Sequence, residues 1–143
     1  MKIFLTSDFF SQATRLIKKP KDGYQSCLED IISSISNKNI NDLIIGNPVL
    51  FEQDPINLVK IRLPNSFQKL SKRDGFRLIS VIDKESESFT LVYIFPKTGK
   101  YGQDNISKKD EINLLNNYLD EEEAEKLKSF DLELPDFLEL FQK

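Results

Sequence analysis

The chain has 143 residues, a near-balance of 20 Lys and Arg against 23 Asp and Glu, one cysteine and no histidine. A length of this order suits one domain with its own core. The missing histidine removes Ser-His and Cys-His catalysis and the commonest zinc ligand, so any chemistry rests on Lys, Arg, Tyr, Asp or Glu, and no metal or cofactor is expected. Cys27 has no partner for a disulfide, no apolar run approaches the ~20 residues that span a bilayer, and the start turns polar straight after Leu5; a cytoplasmic protein without signal peptide or membrane partner is expected.

Lys2–Thr6 reads as a short strand, with Ile3 and Leu5 on one face. Ser7 or Asp8 can cap a helix whose apolar stripe is Phe9, Phe10, Ala13, Leu16 and Ile17, and Pro20 stops it. A second helix carries Tyr24, Cys27, Leu28, Ile31, Ile32 and Ile35 on one face, and the short link predicts an α-hairpin. Asn37–Ile56, punctuated by Gly46, Pro48 and Pro55, reads as loop. Three strands follow. Leu58–Leu63 alternates with period two, putting Val59, Ile61 and Leu63 on one face and Leu58, Lys60 and Arg62 on the other. Phe76–Ile82 is β-branched and aromatic, with Arg77 near its start. Phe89–Phe95 is apolar nearly throughout, as in a central strand covered on both faces, and residues 83–88 suit a hairpin loop. After the turn-rich Pro96–Gly102, Ser107 opens a helix with Ile112, Leu115, Tyr118 and Leu119 on one side. The acidic run Asp120–Glu123 leads into a further helical turn through Lys128, and Pro135 begins a last short helix with Leu134, Phe137, Leu138 and Phe141.

Residues 116–143 hold nine acids and three bases, a charge of −6, whereas the 14 acids and 17 bases before them give +3. The body is thus mildly basic. Lys60 and Arg62 fit solvent-facing charge on an edge strand, but with Arg77 beside them they also form a set that would bind a phosphodiester. Crowding of like charge would lower the pKa of Lys60 towards use as a proton carrier. Lys69, Lys72 and Arg73, in the link between the first two of these strands, are either solvated loop charge or a track for a phosphate backbone. Lys97, Lys100 and Tyr101 read as a polar turn with a packed ring, or as a place where Tyr101 stacks on a base or moves a proton.

The order β-α-α-β-β-β-α, with Lys60-Ile61-Arg62, Gly75-Phe76-Arg77 and Pro96-Lys97-Thr98-Gly99-Lys100-Tyr101-Gly102, resembles the RelE/ParE toxin superfamily, above all its RelE/HigB-like branch. The resemblance spans roughly residues 1–119. It implies an α+β fold: a small antiparallel sheet of about four strands with an N-terminal α-hairpin packed on it, followed by C-terminal helices. It also implies a toxin–antitoxin toxin, a ribosome-dependent mRNA endonuclease that lets the message's 2′-hydroxyl attack the adjacent phosphate without a metal. Lys60, Arg62, Arg77 and Tyr101 would then be catalytic, with Lys69, Lys72, Arg73, Lys97 and Lys100 binding substrate. The partners implied are mRNA on the ribosome and a cognate antitoxin. A ParE-like gyrase inhibitor and an inactive interaction module of the same fold are the alternatives. Residues 120–143 form an acidic helical extension outside the resemblance, either folded over the basic face or packed on the outside of the sheet.

Overall fold

The computed structural model describes residues 1–142. The chain begins with β1 (Lys2–Leu5) and helix α1 (Ser7–Ile17), where Thr6, not Ser7 or Asp8, is the cap: its hydroxyl accepts from the Phe9 N–H at 3.2 Å. A 3-10 turn (Pro20–Asp22) separates α1 from α2 (Cys27–Ile35). The segment expected to be loop instead forms α3 (Ile40–Ile45) and strand β2 (Val49–Gln53), two elements too short for periodicity to reveal. Then come β3 (Ile56–Leu63), β4 (Phe76–Asp83) and β5 (Ser88–Pro96), at the three strands read from the sequence. Helix α4 (Lys108–Glu123), β6 (Lys128–Ser129) and α5 (Leu134–Glu139) complete the order.

One six-stranded sheet in the order β2-β3-β4-β5-β1-β6 runs through the molecule. The α+β class is as expected, but four antiparallel strands under an α-hairpin do not describe it. β1 lies parallel to β5, which makes the sheet mixed, and β2 and β6 extend it at both edges. Nor do α1 and α2 make a tight hairpin, because residues 18–26 lie between them and α1 packs chiefly on β5. β3, β4 and β5 are antiparallel neighbours, with Arg62 opposite Arg77 and Arg77 opposite Phe95.

The alternation in β3 sorts the two cores. Val59, Ile61 and Leu63 join Phe9, Ala13, Leu16, Leu28 and Ile31 under α1 and α2, while Leu58 joins Ile79, Val81, Val92, Leu114 and Tyr118 under α4. Helix α4 is turned from the expected stripe: Leu114 and Tyr118 are buried, but Ile112 and Leu119 face out. The helix ends at Glu123, and the turn expected through Lys128 is replaced by a left-handed Glu125 and by β6.

The acidic tail is built into the first core. Phe137 is fully buried and stacks on Phe130 with ring centroids 4.6 Å apart, and Phe141 stacks on Phe10 at 4.9 Å. A boundary at residue 119 or 120 falls inside α4, and α5 packs on the α1–α2 side of the sheet. Cys27 lies in the same core, where burial pushes its thiol well above the ordinary value. Among the described residues no helix is long and apolar enough to cross a membrane.

Candidate phosphate-binding site

The end of β3, the start of β4 and the end of β5 lie together at one end of the sheet, and most of the candidate cations gather there. On the α4 side the period-two alternation of β3 presents Lys60 and Arg62, while the register of β4 sets Arg77 beside Arg62. Arg62 is exposed, Lys60 half-buried and Arg77 only 5% exposed.

Burial decides how Arg77 is used. Its Nη1 donates to the carbonyls of Lys72 (2.9 Å) and Phe76 (3.1 Å), and its Nη2 to that of Arg73 (2.7 Å). Burial and the neighbouring Arg62 pull its pKa down, yet a guanidinium keeps its proton throughout the useful pH range. Arg77 therefore clamps the β3–β4 link from below and fixes the backbone at Lys72 and Arg73, whose side chains are exposed. The other half of this link is held by a buried polar network. Asp30 accepts from the Ser66 N–H (3.0 Å) and the Ser26 hydroxyl (2.8 Å), and the Asn65 side chain donates to the Gly23 carbonyl at 2.9 Å. Gly75 closes the link where any Cβ would strike the Leu63 carbonyl, and Lys69 is exposed in a left-handed turn.

Lys60 has its pKa lowered, first by burial and then by Arg77, Arg62 and Lys97; Glu111 of α4 acts in the other direction. Lys97 thus belongs with this group, and its ammonium also lies 3.3 Å from an Asp104 carboxylate oxygen. The acid Glu111 has its own partner in Lys108, 3.8 Å away. Four cations against the two acids Glu111 and Asp104 leave a net positive face that a phosphate would relieve.

Tyr101 does not join this group. It packs on the α1 side, with its hydroxyl accepting from the Lys19 ammonium at 2.8 Å and the Arg15 guanidinium 4.1 Å from its ring centroid. Lys100 lies 5.6 Å from the same centroid. The Lys19 hydrogen bond, aided by the charges of Lys19 and Lys100, holds the phenol below its ordinary pKa of 10.0. The loop that carries these residues is tightly tied. The Tyr24 hydroxyl donates to the Thr98 carbonyl at 2.9 Å and accepts from the Tyr101 N–H at 3.1 Å. Gly99 has φ +86°, and a Cβ there would collide with the Tyr24 hydroxyl.

Of the nine residues expected at a site, Lys60, Arg62, Arg77 and Lys97 meet on one face, Lys69, Lys72 and Arg73 sit on the adjoining link, and Lys100 and Tyr101 lie across the sheet. Sequence reasoning missed Arg15 and Lys19. Arg15 lies in the last turn of α1 and Lys19 just beyond its C-cap Lys18, and no helical spacing in the sequence links the two. No family model, curated protein or solved structure matches the chain.

Proposed function

We propose that this protein binds RNA through the face formed by Lys60, Arg62 and Lys97 and cuts it by in-line attack of the RNA's own 2′-hydroxyl, as a ribosome-dependent mRNA endonuclease of a toxin–antitoxin pair would. The observation that carries this reading is the crowding of Lys60, Arg62, Arg77 and Lys97 on one side of the sheet with Glu111 as the one acid acting on Lys60. A polyanion supplies the missing counter-charge.

In that reaction the 2′-oxygen bonds to phosphorus, the bond from phosphorus to the 5′-oxygen breaks, and the products are a 2′,3′-cyclic phosphate and a 5′-hydroxyl. The leaving 5′-oxygen needs a proton, and an ammonium with a lowered pKa gives one up more readily than an ordinary lysine. Lys60 takes that role. Arg62, exposed and without a carboxylate partner among the described residues, takes the charge on the phosphorane oxygens. Arg77 serves as a positioning residue, since its donors are spent on the link that presents Lys72 and Arg73. The 2′-hydroxyl proton passes to solvent.

Induced expression in a bacterial host, with mapping of mRNA 5′ ends, tests the reading. Growth arrest with new 5′-hydroxyl ends inside translated codons, both lost in Lys60→Ala, is the expected result. Arrest with intact messages would replace cleavage by binding to another target, such as gyrase. No arrest and no new ends would leave an interaction module.

A further inference from the structure

The face described above explains Lys60, Arg62 and Lys97 but leaves a second group of cations unaccounted for. Arg15, Lys19 and Lys100 converge on the Tyr101 ring, at 4.1, 5.5 and 5.6 Å from its centroid. All three are exposed, and none is within salt-bridge distance of an acid among the described residues. A helix C-terminus favours a base such as Arg15 or Lys19. That does not explain why a separate loop brings Lys100 to the same point, where the three charges repel one another. The ring offsets part of that repulsion through its π-face, and the phenol oxygen takes one of the Lys19 protons in a hydrogen bond.

The two groups are linked by a short, rigid piece of chain. Lys97 belongs to the Lys60 face and Tyr101 to the α1 face, and the chain from one to the other, with three residues between them, reaches at most about 14 Å. The loop is fixed at both ends: the Lys97 N–H donates to the Gly75 carbonyl at 2.8 Å, and the Tyr101 N–H donates to the Tyr24 hydroxyl. The loop therefore forms a rim over the end of the sheet, with unpaired positive charge on each side of it. A few nucleotides of single strand cover such a distance, whereas a duplex is too stiff to fold round the edge of a sheet.

We propose that a single RNA strand crosses this rim, with phosphates held by Lys60, Arg62 and Lys97 on one side and by Arg15, Lys19 and Lys100 on the other. This inference rests on the RNA-binding reading above and adds a second subsite to it. Tyr101 is the platform of that subsite: it spaces the three cations and does not touch the reacting phosphate.

The test is fluorescence anisotropy with labelled 2′-O-methyl RNA, which lacks the attacking hydroxyl, as a dinucleotide with one linking phosphate and as a strand of about 16 nucleotides. The full chain is compared with the Arg15→Ala/Lys19→Ala and Lys60→Ala/Arg62→Ala variants over a range of salt concentrations. Arg15, Lys19 and Arg62 are exposed and Lys60 is half-buried, and circular dichroism checks that each variant is folded. The expected result is that Arg15→Ala/Lys19→Ala weakens binding of the long strand severalfold and flattens its salt slope by about 1.4, the value for two lost phosphate contacts on a single strand. The short strand, which cannot reach both sides, loses affinity only in Lys60→Ala/Arg62→Ala. If Arg15→Ala/Lys19→Ala binds the long strand with wild-type affinity and slope, while Lys60→Ala/Arg62→Ala is weakened, the second subsite is refuted and the first face stands. If Lys60→Ala/Arg62→Ala binds both strands like wild type, the RNA-binding face itself fails, and the track across the rim fails with it.

Discussion

The cations on the two sides of the sheet's end are held in different ways. On the α4 side Arg77 is buried and all its observed bonds go to backbone carbonyls, so it stabilises the protein and is withdrawn from any ligand. On the α1 side Arg15, Lys19 and Lys100 are exposed and lean on a single ring, which positions them without neutralising them. Lys60 and Arg62 fall between these extremes. The difference shows that position on a strand does not decide what a cation does: Arg62 and Arg77 are directly opposite in register, yet one is free and the other is committed. Water settles the matter, because a guanidinium taken out of it must find acceptors in the protein.

That contrast is broken most sharply at Arg77. Arg77→Ala strips donors from the carbonyls of Lys72, Arg73 and Phe76 and is expected to cost about 3 kcal/mol in stability. Arg62→Ala, an exposed change, should stay within about 0.5 kcal/mol while weakening RNA binding. Urea denaturation of both, with anisotropy on labelled RNA, measures the pair; equal stability losses would mean that the Arg77 clamp is not what holds the link. Next in size is Tyr24→Phe. The Tyr24 hydroxyl joins the Thr98 carbonyl to the Tyr101 N–H, and its removal should cost about 1.5 kcal/mol and raise hydrogen exchange at Tyr101. Unchanged exchange there would show that the glycine turn alone holds the rim.

The sequence made the strands legible because β3 alternates cleanly and β5 is apolar on both faces, each a direct consequence of the layers that cover it. It also placed Lys60 and Arg62 on one face, since period two admits no other arrangement. Short elements escaped. β2 has five residues and β6 has two, so their assignment depends on the edge of a sheet assembled by distant parts of the chain. The face of α4 was misjudged because Ile112 and Leu119 are apolar yet outward, while Glu111 turns inward; burial by tertiary packing overrode composition. Tyr101 was grouped with Arg77 by the resemblance alone. Which side of the sheet a loop residue takes is set by loop conformation, here by Gly99 and Tyr24, and spacing carries no record of it.

Lys60 offers a smaller effect with an informative sign. Its folded pKa lies below the ordinary 10.5, so between those two values the unfolded chain binds more protons than the folded one. Stability linked to Lys60 must therefore rise with pH through that window, and at neutral pH the charged ammonium works against folding. Lys60→Met removes this cost and should stabilise the protein at pH 7 by about 0.5 kcal/mol, a gain kept small by solvent screening. The same change should abolish RNA cleavage. A variant that is both less stable and still active would remove Lys60 from the site.

Tyr101 shows the same slope with pH for the opposite reason, a charged form that is stabilised, and it has the smallest consequence for neutral conditions. Its phenol is held below 10.0 chiefly by the Lys19 hydrogen bond, and the phenolate in turn holds Lys19 above its ordinary 10.5. The attraction requires both the phenolate and the ammonium, so the stabilisation is lost as pH falls through the folded pKa of Tyr101 and again as pH rises through the raised folded pKa of Lys19. At pH 7 only the neutral hydrogen bond remains. Ultraviolet titration near 295 nm should resolve an early transition from Tyr101 in the wild type and a late one from Tyr118, which burial holds back, pushed up to about 12. Lys19→Ala should move the early transition up towards 10 and leave the late one in place. If the early transition survives that change, Lys19 does not set the charge around Tyr101, and the α1 side loses the group that distinguishes it from the α4 side.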